Sequence, residues 1–336
     1  MRFPKASFFE GKKNLFLCHA GADVDSLASA QAFFLSLKKN RSSVVGVPEH
    51  VNLSAKAMAE NLGLGFELNP ALEEFENVVL FDLNSPEMLG GFAEKLKAFS
   101  GKIFIIDHHA KASSWLSKKA VALVDVDAVS CTQVVYGYLE KNRAKIPSLA
   151  AKLLACGIIA DSARFAVSSE KTFLDMAKLL KKSGVSYPVL FSFFEVKKDV
   201  SERIAALKAA RRARVFRAFD KIISVTQVNS FEATAAMSLV FLGAHVGFAG
   251  GEKEGRILIS GRALNSFASK TGFDLVKHVF VPLSQKFPGS GGGHAAAAGF
   301  NGQGFALSDA LFECAKLVHG FLEKEAGKTG QLKEYE

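Results

Sequence analysis

Lys102-Ile103-Phe104-Ile105-Ile106-Asp107-His108-His109 is the stretch that decides how this chain folds. An apolar run ends abruptly in three strongly hydrated side chains. Such a run reads as a core strand of an α/β sheet, covered on both faces. Ligands in open α/β sheets bind just beyond the carboxyl ends of the strands, so Asp107, His108 and His109 stand where a site belongs. The same event recurs upstream. Leu15-Phe16-Leu17-Cys18 runs into His19, Asp23 and Asp25, and Val78-Val79-Leu80-Phe81 runs into Asp82. A fourth apolar run, Cys156 to Ala160, delivers Asp161. Any one of these reads equally well as a turn or helix cap. Four coincident runs read as one site.

The collected set holds oxygen ligands at Asp23, Asp25, Asp82 and Asp161, and nitrogens at His19, His108 and His109, with no well-placed thiolate. That mixture suits Mn²⁺ or Mg²⁺ better than structural zinc. Crowded carboxylates repel one another unless cations compensate them. A two-metal centre removes the repulsion and equips the site for hydrolysis.

The order of these pieces resembles the motif series of the DHH phosphoesterases: His-x₃-Asp-x-Asp, a lone strand-end Asp, Asp-His-His, then Gly-Ile-x-x-Asp at Gly157 to Asp161. In the C-terminal half, Gly291-Gly292-Gly293-His294-Ala295-Ala296-Ala297-Ala298-Gly299 resembles the glycine-rich signature of the DHHA1 substrate domain. Ser260-Gly261-Arg262 resembles the Arg motif that precedes it. The chain departs from the family pattern at Ala28, Ser162 and Ala263, none of which removes a ligand.

The resemblance implies an α/β fold of two domains with the active site in the cleft between them. A parallel-sheet DHH domain is expected over 1–195, a helical linker over 196–219, a smaller α/β DHHA1 domain over 220–326 and a flexible tail over 327–336. It further implies that His19, Asp23 and Asp82 hold one divalent ion and that Asp25, Asp82, His108 and Asp161 hold a second, with Asp82 bridging. Mn²⁺ is the expected metal and Mg²⁺ the alternative. His109 is cast as a donor to the phosphate or leaving oxygen, and Asp107 as the residue that orients the imidazoles. Arg262 and the Gly291-Gly292-Gly293-His294 loop are expected to hold substrate.

The expected reaction is metal-dependent phosphoester hydrolysis, with short RNA oligonucleotides or dinucleotides as first-choice substrates. The alternatives are a cyclic-dinucleotide phosphodiesterase and a RecJ-like single-strand exonuclease. A non-catalytic nucleotide or single-strand binder is a different class, but such relatives lack metal ligands, and here every expected ligand type is present.

The remaining sequence bounds the setting. At 336 residues, two cores are the natural expectation. The most apolar stretch, Leu149 to Val167, is broken by Lys152, Asp161 and Arg164, so no membrane span is expected. The first five residues lack the apolar core of a signal peptide. Cys18, Cys131, Cys156 and Cys314 are scattered and read as buried thiols of a cytoplasmic protein. A net charge of +9 favours anionic partners. No obligate protein partner is evident, and a homodimer is left open. Arg203, Arg214 and Arg217 are expected to share a face of the linker helix.

Overall fold

The computed structural model describes residues 3–83, 85–110, 120–196 and 199–335. The chain divides into two compact units, Met1–Val196 and Lys197–Glu336.

The first unit is built on strands β1 (Asn14–Leu17), β2 (Gly21–Ala22), β3 (Val44–Val47), β4 (His50–Val51), β5 (Glu67–Leu68), β6 (Asn77–Phe81), β7 (Lys102–Asp107) and β8 (Ala120–Val124). Six of them form one sheet in the order β5-β3-β1-β6-β7-β8, with every pairing parallel. The order reverses on either side of β1. That is a topological switch point, the place where an open parallel sheet leaves a crevice at its carboxyl edge.

The central strands are apolar along their whole length because both faces are covered. Phe16, Val79, Phe81, Phe104 and Ile106 pack into one core, while Leu15, Leu17, Val78, Leu80, Ile103 and Ile105 pack into the other. The first core is rich in edge-on aromatic pairs, among them Phe9 against Phe104 and Phe33 against Phe81. The helices of this unit are α1 (Val24–Ser36), α2 (Leu53–Leu62), α3 (Phe92–Ala98), α4 (Cys131–Lys141), α5 (Ser148–Asp161), α6 (Glu170–Ser183) and α7 (Tyr187–Ser192), of which α3 covers the second core. Helix α5 is buried nearly all round, which explains its lack of polar residues between Leu153 and Ala160. Pro at the start and a helix-forming composition make residues 86–99 read as one helix, but they form two pieces, a 3-10 turn at Pro86–Leu89 and then α3. Gly90, at φ 55°, breaks it.

The second unit contains α8 (Val200–Arg211), β9 (Arg214–Ala218), β10 (Lys221–Gln227), α9 (Glu232–Phe241), β11 (Val246–Lys253), β12 (Arg256–Ala263) and α10 (Asn265–Thr271). A π-helical turn at Val276–Phe280 follows, then α11 (Val281–Ser284), β13 (Gly289–His294), β14 (Ala297–Gln303), α12 (Leu307–Ala326) and β15 (Leu332–Tyr335). Its seven-stranded sheet runs β13-β14-β12-β11-β10-β9-β15, antiparallel except for the β10–β11 pair.

Three expectations are corrected in this unit. The helical linker ends at Arg211, and residues 214–218 are a strand because Val215 and Phe216 complete the sheet beside β10 (Lys197 and Lys198 lie outside the described residues). The expected flexible tail carries β15, paired with β9. The arginine face does not form, since Arg214 and Arg217 lie on a strand. There Arg214 binds both carboxylate oxygens of Glu334, at 2.7 and 2.9 Å, and Arg217 Nε donates to the Phe219 carbonyl.

Among the described residues, no helix is long and apolar enough to cross a membrane. The four cysteines are buried and free.

Candidate metal centre

The carboxyl ends of β1, β6 and β7 carry His19, Asp82, and the Asp107–His109 triplet. The helices bring the rest. Asp23 is the N-cap of α1, accepting the Ser26 amide at 3.0 Å, and Asp25 lies in that helix's first turn. Asp23, in extended backbone, turns to Ser26 and His19, whereas Asp25 turns to Cys131 and Thr132. Asp161 is the last residue of α5.

Eight of the expected residues converge. Ligand-type atoms of His19, Asp23 and Asp82 lie within 4.8 Å of one another, as do those of Asp25, His108 and Asp161, and those of Asp82, Asp107, His108 and His109. Asp82 belongs to two of these groups and stands between them. It adopts φ 58°, the left-handed region that a non-glycine residue enters at a cost. A strained residue at a functional position is a recurrent pattern. Here the turn aims a carboxylate back over the strand ends.

The two histidines are oriented from behind. His108 Nδ1 faces the Ala128 carbonyl at 3.3 Å, so that nitrogen carries the proton. Its Nε2 then points at Asp82 Oδ1, 3.4 Å away, and Asp161 Oδ2, 3.3 Å away. His109 Nδ1 donates to Asp107 Oδ1 at 2.8 Å. Asp107 is fully buried, and the same oxygen also takes the amides of His108 and His109. Asp107 thus holds the His109 ring, while the His108 ring is held by the Ala128 carbonyl.

The electrostatics are those of a site short of positive charge. Burial, then the charges of Asp82, Asp161 and Asp23, push the Asp25 pKa well above the usual carboxylate range, against a lowering hydrogen bond from Thr132. Burial and Asp82 push Asp161 up to about 6. Burial opposes protonation of His108, but Asp82, Asp25 and Asp161 outweigh it and push its pKa up to about 9. Asp23 moves the other way: burial raises its pKa, but hydrogen bonds from His19 and the Ser26 amide bring it below the ordinary value.

Three buried polar atoms of these residues, Asp82 Oδ1, His108 Nε2 and Asp107 Oδ2, have no hydrogen-bond partner, although the first two face one another at 3.4 Å. Buried polar groups are almost always satisfied. Carboxylate oxygens converging with an imidazole nitrogen that its partner has left free as an acceptor fit a divalent cation.

Residues 14–158 match the DHH family, N-terminal domain. The match runs from β1 into α5 of the first unit. The chain is 29% identical over 294 residues to an uncharacterized protein of Methanocaldococcus jannaschii, covering 85% of this chain and 86% of that protein. It is 22% identical over 220 residues to the cyclic-di-AMP phosphodiesterase GdpP of Geobacillus thermodenitrificans, covering 61% of this chain but 33% of that longer protein. The fold is shared with an exopolyphosphatase-related protein from Bacteroides fragilis at a TM-score of 0.64 and 16% identity, over 93% of this chain and 92% of that one.

The other expected residues lie in the second unit. Arg262 is on β12 and His294 on β13, and both stand opposite Ala297 of the intervening strand β14. Directly opposed residues share a sheet face, so Arg262 and His294 lie on one face, roughly 10 Å apart by strand spacing. The glycine-rich loop expected at Gly291-Gly292-Gly293 is an edge strand. Its glycines permit close packing, since a Cβ at Gly291 would come within 2.5 Å of the Phe280 side chain.

One partner was missed from sequence. Ser130-Cys131-Thr132-Gln133 reads as a helix cap, and Ser130 does cap α4 by accepting the Gln133 amide. The same turn also grips Asp25. The Cys131 amide donates to Oδ2 at 2.6 Å, and the Thr132 amide and hydroxyl donate to Oδ1 at 3.0 and 2.6 Å. Gly157 of the Gly-Ile-x-x-Asp motif gains its meaning here. A Cβ on it would lie 2.4 and 2.5 Å from Thr132 side-chain atoms and 2.6 Å from Asp25 Oδ1.

Proposed function

We propose that this protein is a two-metal phosphoesterase that hydrolyses short RNA oligonucleotides or dinucleotides, with Mn²⁺ as the working ion. The observation that carries this reading is the ring of ligand atoms around Asp82, in which Asp82 Oδ1 and His108 Nε2 are buried without partners. His19, Asp23 and Asp82 would hold one cation; Asp25, Asp82, His108 and Asp161 would hold the other. Bound there, divalent cations lower the pKa of water and offset phosphoryl charge.

The side chains supply the rest. His109, braced by Asp107 through Nδ1, presents Nε2 as a proton donor to the phosphoryl or leaving oxygen. The Asp107 contact keeps the plane of that ring fixed. In the second unit, Arg262 offers a planar, forked contact to a substrate phosphate. The backbone of Gly291 to Gly293 and the His294 ring offer contacts to a terminal nucleotide.

A cyclic dinucleotide is the second reading, favoured by the likeness to a cyclic-di-AMP phosphodiesterase. A panel assay with Mn²⁺ separates the readings. It compares two- to five-residue RNAs, longer single-stranded DNA and RNA, cyclic dinucleotides and 3′-phosphoadenosine 5′-phosphate. Highest kcat/KM on the short RNAs supports the proposal. Highest kcat/KM on a cyclic dinucleotide moves it to the second reading. No Mn²⁺-dependent turnover of any of them refutes both.

A further inference from the structure

We infer that Thr132 is a positioning residue for Asp25: through a one-way chain of hydroxyl groups it saturates Asp25 Oδ1 and leaves Oδ2 as the oxygen available to a cation. This rests on the reading of Asp25 as a metal ligand.

The direction of the chain follows from which groups are able to donate. The Gln133 amide has only a proton to give, and it gives it to Ser130 Oγ at 3.1 Å. As a cation ligand the Asp25 carboxylate is ionised and accepts only, so at 2.6 Å the Thr132 hydroxyl donates to Oδ1. The remaining link, Ser130 Oγ to Thr132 Oγ1 at 2.8 Å, must then run from Ser130 to Thr132. Every proton points toward Asp25. The two hydroxyl residues are fully buried, so water does not reorder the chain.

The lone pairs of Asp25 complete the argument. A carboxylate has about four acceptor positions, two on each oxygen. Oδ1 receives the Thr132 amide and hydroxyl and is full. Oδ2 receives the Cys131 amide alone and keeps one position. Asp25 is therefore set to bind through a single oxygen, and one of its carboxylate oxygens lies within 4.8 Å of ligand atoms of His108 and Asp161.

A purely structural role for Thr132 fits less well. Ser130 already caps α4, and the closely packed Thr132 methyl is tolerated only because residue 157 is glycine.

The test is Mn²⁺ binding to the full chain by isothermal titration and electron paramagnetic resonance, with thermal unfolding as a check on folding. Thr132→Val removes the hydroxyl at constant shape. Thr132→Ala removes it without crowding Asp25, and carries the test if the valine variant does not fold. Losing a partner that orients a ligand costs about 10- to 100-fold in metal affinity. The expected result is that loss at one of the two Mn²⁺ ions, with the other within about twofold, and recovery of most of the affinity in Thr132→Ser. Wild-type affinity for both ions in Thr132→Ala overturns the inference, as does an equal loss at both. A wild-type chain that binds two Mn²⁺ ions but cleaves no phosphoester sinks the proposed function and leaves this inference standing. A chain that cleaves, with Mn²⁺ binding indifferent to Thr132, does the reverse.

Discussion

Replacing Gly157 with alanine opposes a local preference to a tertiary constraint. In a helix interior, alanine is favoured over glycine by roughly 0.8–1.0 kcal/mol, so on propensity alone Gly157→Ala should stabilise α5. The structure predicts otherwise. The new methyl carbon would lie 2.4 Å from Thr132 Cγ2, 2.5 Å from Thr132 Oγ1 and 2.6 Å from Asp25 Oδ1, each about 1 Å short of ordinary van der Waals contact. Helix α5 is buried on nearly every side, so it is Thr132 and Asp25 that must shift. Overpacking a tight core costs about 1–3 kcal/mol, which cancels or exceeds the helix gain. Displacing a reacting group by about 1 Å costs on the order of 100-fold in rate. The expected outcome is unchanged or modestly reduced stability in urea, with Mn²⁺-dependent turnover down by about two orders of magnitude. A variant about 1 kcal/mol more stable, with full turnover, would mean that Gly157 is not there to make room for Asp25.

Other substitutions test the remaining parts. Asp82→Ala and Asp82→Asn should both abolish hydrolysis while leaving the fold intact by circular dichroism; near-normal turnover in either rules out a bridging carboxylate. Arg262→Ala should mainly raise KM, by about ten- to a hundredfold for a lost charge-assisted hydrogen bond, whereas His109→Ala should act on kcat; loss of kcat alone in both would refute that division of labour. The metal-free protein should lose stability as pH rises. The Asp161 carboxyl, raised from 3.8 to about 6, favours the folded state only while protonated, and the His108 contribution, present below 6.5, is lost as pH passes about 9. A metal-free unfolding midpoint that climbs between pH 6 and pH 9 would contradict those assignments. Finally, kcat/KM should be highest for RNAs of about two to five residues, with a shallow salt dependence because few phosphates are neutralised; equal efficiency on a strand of about thirty residues with a steep salt slope points to a processive exonuclease.

Much of the candidate metal centre was legible in the sequence, because a strand buried on both faces is apolar throughout and ends visibly. The runs Leu15 to Cys18, Val78 to Phe81 and Ile103 to Ile106 advertise their carboxyl ends, and an open parallel sheet puts its site there. His19, Asp82, Asp107, His108 and His109 follow from that rule alone, and Asp161 from the helix that carries it. Sequence failed where backbone pairing outweighs local pattern. Residues 214–218 and 332–335 are polar and charged enough to read as a helix face and a tail, yet hydrogen bonding to a neighbouring strand makes them part of the sheet. The run Gly289 to His294 has the composition of a loop, but pairing with β14 makes it a strand. The partners of Asp25 were invisible for a different reason. Residue 25 meets residues 131, 132 and 157 only after three helices pack together, and no periodicity records a hydrogen bond across more than a hundred residues. The sequence by itself determined which chemical groups collect at the sheet edge; only the packing of α1, α4 and α5 decided which oxygen of Asp25 remains free.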